Sequence, residues 1–165
     1  MKTVPTGVFA LTGDYWTLGY RGARFTLRDT FGLGIIQRLL QHPGERFSAL
    51  DFRSGQLRKQ LDYLLKSGDN KGAEEVKAEL ERIEHEVVPL VSDVGLNWRP
   101  ASAAELARLN VTRAIRWALE RISNQQSELG QLLIDSIRTG SYCCYLPNPE
   151  VPIHWRFELD RPEAT

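Results

Sequence analysis

Asp29-Thr30-Phe31-Gly32-Leu33-Gly34-Ile35-Ile36-Gln37-Arg38-Leu39-Leu40-Gln41-His42-Pro43-Gly44 is the stretch on which the fold turns. Asp29 or Thr30 can cap a helix, because a short side-chain oxygen accepts one of the unpaired amides of a first turn. Leu33, Ile35, Ile36, Leu39 and Leu40 then form a broad apolar stripe at helical spacing, and Pro43-Gly44 stops it. Gly32 and Gly34 weaken the first turn, since glycine costs about 1 kcal/mol against alanine in a helix interior. A helix this apolar on one side needs a sheet or other helices to cover it.

Upstream, Tyr15 to Tyr20 and Ala23 to Arg28 are β-leaning runs joined through Arg21-Gly22, with Phe25 and Leu27 alternating against Arg24, Thr26 and Arg28. They predict a hairpin. Val8 to Leu11 fits a strand before it, ended by Thr12-Gly13-Asp14. Downstream, Phe47, Leu50 and Phe52 suggest a short second helix beginning at Ser48.

Residues 53–96 change character and become rich in Lys and Glu. Leu57, Leu61 and Leu64 precede Ser67-Gly68-Asp69-Asn70, and Val76, Leu80, Ile83 and Val87 follow it, each set spaced as a narrow seam. The pattern predicts an antiparallel helical hairpin with a polar tip, its second helix ended or kinked by Pro89. Such a seam either caps the core or serves dimerisation and docking, so these six hydrophobics from Leu57 to Ile83 are candidate interaction residues. Glu84, His85 and Glu86 point in different directions on a helix and read as a solvated face.

Ser102-Ala103-Ala104-Glu105 is a capping box that starts another helix. Val111, Ile115, Ala118 and Ile122 fall on one face of it, whereas Leu106, Leu109, Arg113, Arg116, Trp117 and Glu120 fall on the other. Because Leu106 and Leu109 lie opposite the later apolar stripe, the spacing suggests a break near Asn110, itself a good cap. Leu129 to Leu133 has helical character. Ser136 to Tyr145 then reads as a β-hairpin turning at Thr139-Gly140 or Gly140-Ser141, and Ile153, Trp155, Phe157 and Leu159 alternate with His154, Arg156 and Glu158 as a half-buried strand. Residues 160–165 read as a loose tail.

Composition narrows the function. The 165 residues are 42% hydrophobic and 25% charged, which excludes a disordered or fibrous chain. No apolar run approaches the ~20 residues that cross a bilayer, and Met1 to Trp16 lacks the apolar core of a secretory signal, so a cytoplasmic protein without membrane contact is expected. Net charge is zero, but residues 97–124 carry +3 while residues 125–165 carry −3, so the positive charge is local. Cys143 and Cys144 are adjacent and read as reduced packing residues. His42, His85 and His154 are scattered without metal-ligand spacing, so neither a metal nor a cofactor is expected. With no phosphate-cradling glycine loop, serine elbow or paired carboxylates, the chain does not read as an enzyme.

Strands, a core helix, a helix after a Pro-Gly turn, a basic amphipathic helix and a hairpin form the element order of a winged helix preceded by a small sheet. Leu27 through Leu50, with Leu39-Leu40-Gln41-His42-Pro43-Gly44-Glu45 followed by Phe47-Ser48-Ala49-Leu50, resembles the first helix, turn and second helix of the OmpR-type DNA-binding domain of bacterial response regulators. Ile134 through Tyr142 is similar to the stretch leading through that family's wing, and Val111, Ile115, Ala118 and Ile122 fit the buried side of its recognition helix. The whole chain also resembles an uncharacterised module of bacterial regulatory proteins, sometimes attached to large signalling ATPases. The resemblance implies an α+β winged helix-turn-helix domain from residues 1–52 and 97–159, with residues 53–96 inserted where the family has a short loop. The strand near Trp155 lies beyond the family's usual end.

That likeness further implies transcriptional regulation through duplex DNA. The helix from about Asn110 to Ile122 would enter the major groove, Arg113 and Arg116 would fork onto guanine edges or grip phosphates, and Thr112 would touch base or backbone. Trp117 would meet a base edge or sugar, and Arg138 with Thr139 at the hairpin tip would reach the minor groove or its phosphates. So few basic contacts imply a homodimer or a fused or associated signalling protein. The alternative is an interaction module that has lost DNA binding, in which Leu106, Leu109 and Trp117 pack on protein; Glu120 and overall neutrality favour it.

Overall fold

The computed structural model describes residues 4–85 and 102–159, which form an α+β structure. In chain order the elements are β1 (Thr6–Thr12), β2 (Tyr15–Tyr20), β3 (Ala23–Arg28), α1 (Phe31–Gln41), β4 (Phe47–Ser48), α2 (Ala49–Ser67), α3 (Asn70–His85), α4 (Ala103–Gln125), α5 (Ser127–Ser136), β5 (Ile137–Arg138), β6 (Tyr142–Tyr145) and β7 (His154–Arg156). They make a four-stranded sheet in the order β3-β2-β1-β7 and a three-stranded one in the order β4-β6-β5. Val87, Pro89, Glu86 and the tail from residue 160, on which the sequence raised expectations, lie outside the described residues. Two compact units result: Met1–Arg46 with Arg113–Thr139 and Cys143–Thr165, and Phe47–Thr112 with Gly140–Tyr142.

In the first unit, strand alternation sorts the side chains of the larger sheet. Phe9, Trp16, Leu18, Tyr20 and Leu27 share the inner face and are buried. β1 pairs antiparallel with β2, and β2 with β3, while β7 joins β1 in parallel, with Gly7 opposite Trp155. Parallel pairing requires a long crossover, and the whole helical portion of the chain supplies it. The Trp155 ring lies over Gly7, where an added Cβ would stand 2.6 Å from the indole. Phe9 meets Trp16 edge-on at 5.3 Å and Trp155 at 6.3 Å. Asp29 accepts a 2.7 Å hydrogen bond from the Trp16 indole, tying the end of β3 to β2 before α1 begins.

Thr30 caps α1 by accepting from the Leu33 amide at 3.4 Å. Leu33, Ile35, Ile36, Leu39 and Leu40 are all buried, and Gln37 donates to the Phe9 carbonyl at 3.0 Å. Gly32 has a use the sequence does not announce. A methyl group there would run into the Ala114 carbonyl and sit 3.0 Å from the Ala118 Cβ, so α1 crosses the second half of α4 at backbone distance. Gly34, by contrast, faces open space. α4 and α5 also meet closely, since a Cβ on Gly130 would lie 2.6 Å from the Ser123 Cα.

The second unit contains the expected helical hairpin. Leu57, Val76 and Leu80 are buried together, with Leu61, Leu64 and Ile83 packed against them. Gly68, at φ 82°, ends α2, and Asp69 caps α3 by accepting from the Gly72 amide at 2.9 Å. Arg53 on α2 binds Glu79 on α3 through two nitrogens at 2.8 and 3.1 Å. Glu84 lies 3.7 Å from Arg58 on an exposed face, in keeping with its reading as solvated.

Three boundaries differ from the sequence expectation. Ser48 does cap a helix, accepting from the Leu50 amide, but that helix runs unbroken to Ser67 rather than stopping near Phe52. A unit boundary at residue 52 would cut it, and the division falls at Phe47 instead. α4 likewise continues through Asn110. Ala107 is buried and extends the stripe of Val111, Ile115, Ala118 and Ile122 by one turn, so the buried face is continuous and Leu106 and Leu109 simply project outward.

Gly32→Ala should lower stability by about 1–3 kcal/mol through overpacking, whereas Gly34→Ala should raise it by about 0.5–1 kcal/mol through helix propensity. Urea unfolding of both variants checks this, and equal effects at the two positions would contradict the crossing described.

Candidate functional site

Ser102 builds the start of α4, accepting from the Glu105 amide at 3.1 Å as a capping box requires. From there one face is sealed: Val111, Ile115 and Ile122 are fully buried. About 100° per residue then sends Leu106, Leu109, Arg113, Arg116, Trp117 and Glu120 to the opposite side, and all six are exposed. The expected face therefore exists, with the expected members.

Arg113 and Arg116 stand one turn apart, and neither forms an ion pair or hydrogen bond among the described residues. Trp117 is 59% exposed, and the Arg121 guanidinium lies 5.5 Å from its ring centroid, a cation–π contact one turn on. Leu106 at 53% and Leu109 at 39% continue the face in apolar form. Asn110 is exposed, and Glu120 interrupts the positive charge. Thr112 departs from expectation: its hydroxyl oxygen is enclosed and lacks a partner among the described residues, so it does not reach a base edge.

A hairpin forms where the sequence indicates, but its connection is longer than a two-residue turn, with residues 139–143 between the paired Arg138 and Cys144. Ile137 pairs with Tyr145 and Arg138 with Cys144, and Gly140 takes a φ of 145° in the connecting turn. Thr139 is exposed there. Arg138 is exposed too, but one of its guanidinium nitrogens donates to the Asp135 carbonyl at 3.0 Å, folding it toward the end of α5. The helical character expected at Leu129 to Leu133 is realised as a longer helix, α5, from Ser127 to Ser136. α5 carries Glu128 and Asp135 and no basic residue, so it cannot supply a groove-reading face. Glu128 is occupied by Arg21 at 2.7 Å, and Asp135 accepts from Gln131.

Cys143 is buried and Cys144 half-buried, both as free thiols. Among the described residues no group of His, Cys, Asp and Glu could hold a metal ion, and no helix is long and apolar enough to cross a membrane. Comparison with family models, curated proteins and solved structures finds no match to this chain.

Behind the hairpin, the Trp155 indole donates to the Tyr145 hydroxyl at 3.3 Å. Burial pushes the Tyr145 phenol above its ordinary value of 10.0, partly opposed by that hydrogen bond. The folded protein thus keeps a proton that the unfolded chain releases, so this contribution to stability is complete below about pH 10 and is lost as pH rises further. Between about pH 9 and pH 11 the urea midpoint should fall more steeply for the parent protein than for Tyr145→Phe. Parallel losses would show that Tyr145 does not carry the effect.

Proposed function

We propose that this chain is a winged-helix module that binds duplex DNA in transcriptional regulation, with the outer face of α4 as its reading surface. The observation that carries the reading is the pair Arg113 and Arg116, exposed and without an internal partner among the described residues, on the side of α4 opposite its buried stripe. The sheet order β4-β6-β5 supports it, because the strand between the first two helices of a winged helix pairs with the returning strand of the hairpin. The two guanidinium groups have the fork geometry that suits guanine edges and phosphates. Asn110 and Trp117 lie on the same exposed side of α4, and Arg138 and Thr139 at the hairpin turn would supply the wing contacts. With two strong basic contacts per chain, tight binding requires a second copy or a fused regulatory partner.

A second reading is favoured by Leu106, Leu109 and Trp117, whose exposure on the same face suits a protein partner more than a phosphate backbone. Here the α4 face is a docking or dimerisation surface and DNA binding is absent.

A salt titration separates the two. Duplex from a randomised pool should be retarded at low salt, and Arg113→Ala with Arg116→Ala should abolish the shift, reducing the slope of log affinity against log salt by about 2. Failure of the parent protein to retard any duplex overturns the DNA reading. In that event Trp117→Glu or Leu106→Glu should break a dimer or complex in sedimentation, and an unchanged profile removes the docking reading as well.

A further inference from the structure

The strand registers place Arg24, Arg28 and Arg156 on the outer face of the larger sheet. Arg156 is level with Val8, Val8 with Gly19, and Gly19 with Arg24, forming one row across all four strands. Residues directly opposite across a sheet point to the same side, and this side is the reverse of the one that buries Phe9, Leu18 and Tyr20. Two residues along, Thr17 is level with Thr26; two further, Tyr15 is level with Arg28. His154, two residues before Arg156, shares the face at its other end.

Four features make this face a binding surface. First, β1, β2, β3 and β7 contain no Asp or Glu, so every formal charge within the strands is positive; Glu158, two residues past Arg156, is the carboxylate in step with them. Second, the centre is low: Gly19 has no side chain, the Arg24 stem lies across it at 3.2 Å from a notional Cβ, and Arg24 and Arg156 flank a groove of about 250 Å3 floored by Val8 and Gly19. Third, Tyr15 is 55% exposed in the row of Arg28, offering a ring face beside a cation. Fourth, Arg24 and Arg28 form no ion pair among the described residues, unlike Arg21, which is tied to Glu128.

The spacing decides what fits. Along β3, Arg24 and Arg28 are four residues and about 13 Å of backbone apart, while Arg24 and Arg156 approach a common groove from strands on opposite sides of it. The positive charge is therefore distributed along the face rather than gathered at one point. Such a distribution suits a flexible chain of regularly spaced negative charges, and the exposed aromatic ring suits unpaired bases that can stack on it.

We propose that the outer face of this sheet is a second binding site, distinct from α4, and that it takes single-stranded nucleic acid, with Arg24 and Arg28 holding phosphates, Arg156 adding positive charge to the same face, and Tyr15 stacking on a base. The assignment stands independently of the duplex reading of α4.

Fluorescence anisotropy of a labelled oligothymidylate of about twenty nucleotides, at low salt, tests it. The parent protein should bind with an affinity that falls steeply as salt rises. Arg24→Gln with Arg28→Gln should weaken binding at least ten-fold, and Tyr15→Ala roughly ten-fold, with melting temperatures unchanged because all three side chains are on the surface. Arg113→Ala with Arg116→Ala should leave this affinity intact while removing any duplex shift, so the two sites fail separately. No binding by the parent protein, binding unaffected by the Arg24 and Arg28 substitutions, or equal competition by polyglutamate of matched charge would each overturn the proposal, the last by assigning the face to acidic polypeptide.

Discussion

The close crossing of α1 over α4 at Gly32 is the constraint from which most of the first unit follows. With no side chain at that position, the Ala114 carbonyl and the Ala118 methyl approach the α1 backbone directly. Leu33, Ile36 and Leu39 on α1 and Ile115 and Ile122 on α4 are all buried, as a densely packed core requires. The crossing also orients α4. Once Ala114 and Ala118 face inward, helical geometry sends Arg113, Arg116 and Trp117 outward. A glycine that weakens its own helix therefore determines which side chains another helix shows to solvent.

Two sets of exposed arginines are set apart from the core by different periodicities. On α4 the 3.6-residue repeat separates a buried stripe from Arg113 and Arg116. On the sheet the two-residue repeat separates Phe9, Leu18 and Tyr20 from Arg24, Arg28 and Arg156. Neither surface is visible in the total charge, which is zero. Several acidic residues lie on α3, and Glu79 and Glu128 each neutralise a nearby arginine, although Glu120 remains on the α4 face itself. A protein of zero net charge can thus present locally positive faces.

Local patterns in the chain predicted the helix from Thr30 to Gln41, the capping box at Ser102, the hairpin seam from Leu57 to Ile83 and the turn at Gly140, since each depends on neighbours within a few residues. Local signs mislead where a distant partner outweighs them. Asn110 looked like a helix break because Ala107, a small residue, gave little hint that it continues the buried stripe. Phe52 looked like the end of a short helix, although α2 continues past it on the strength of packing against α3. Thr112 was expected to touch a ligand, but its hydroxyl is enclosed.

What the amino-acid order determined alone is the set of amphipathic elements and the sides on which their charged residues lie, because helix and strand periods are properties of the local backbone. Only the tertiary structure decided that Trp155 returns from the far end of the chain to pair β7 with β1, and that Gly32 is a contact point rather than a defect. It also aligned Arg156 with Arg24 across four strands. Such relations join residues far apart in the chain, and strand register and helix contact, which no short window of sequence encodes, establish them.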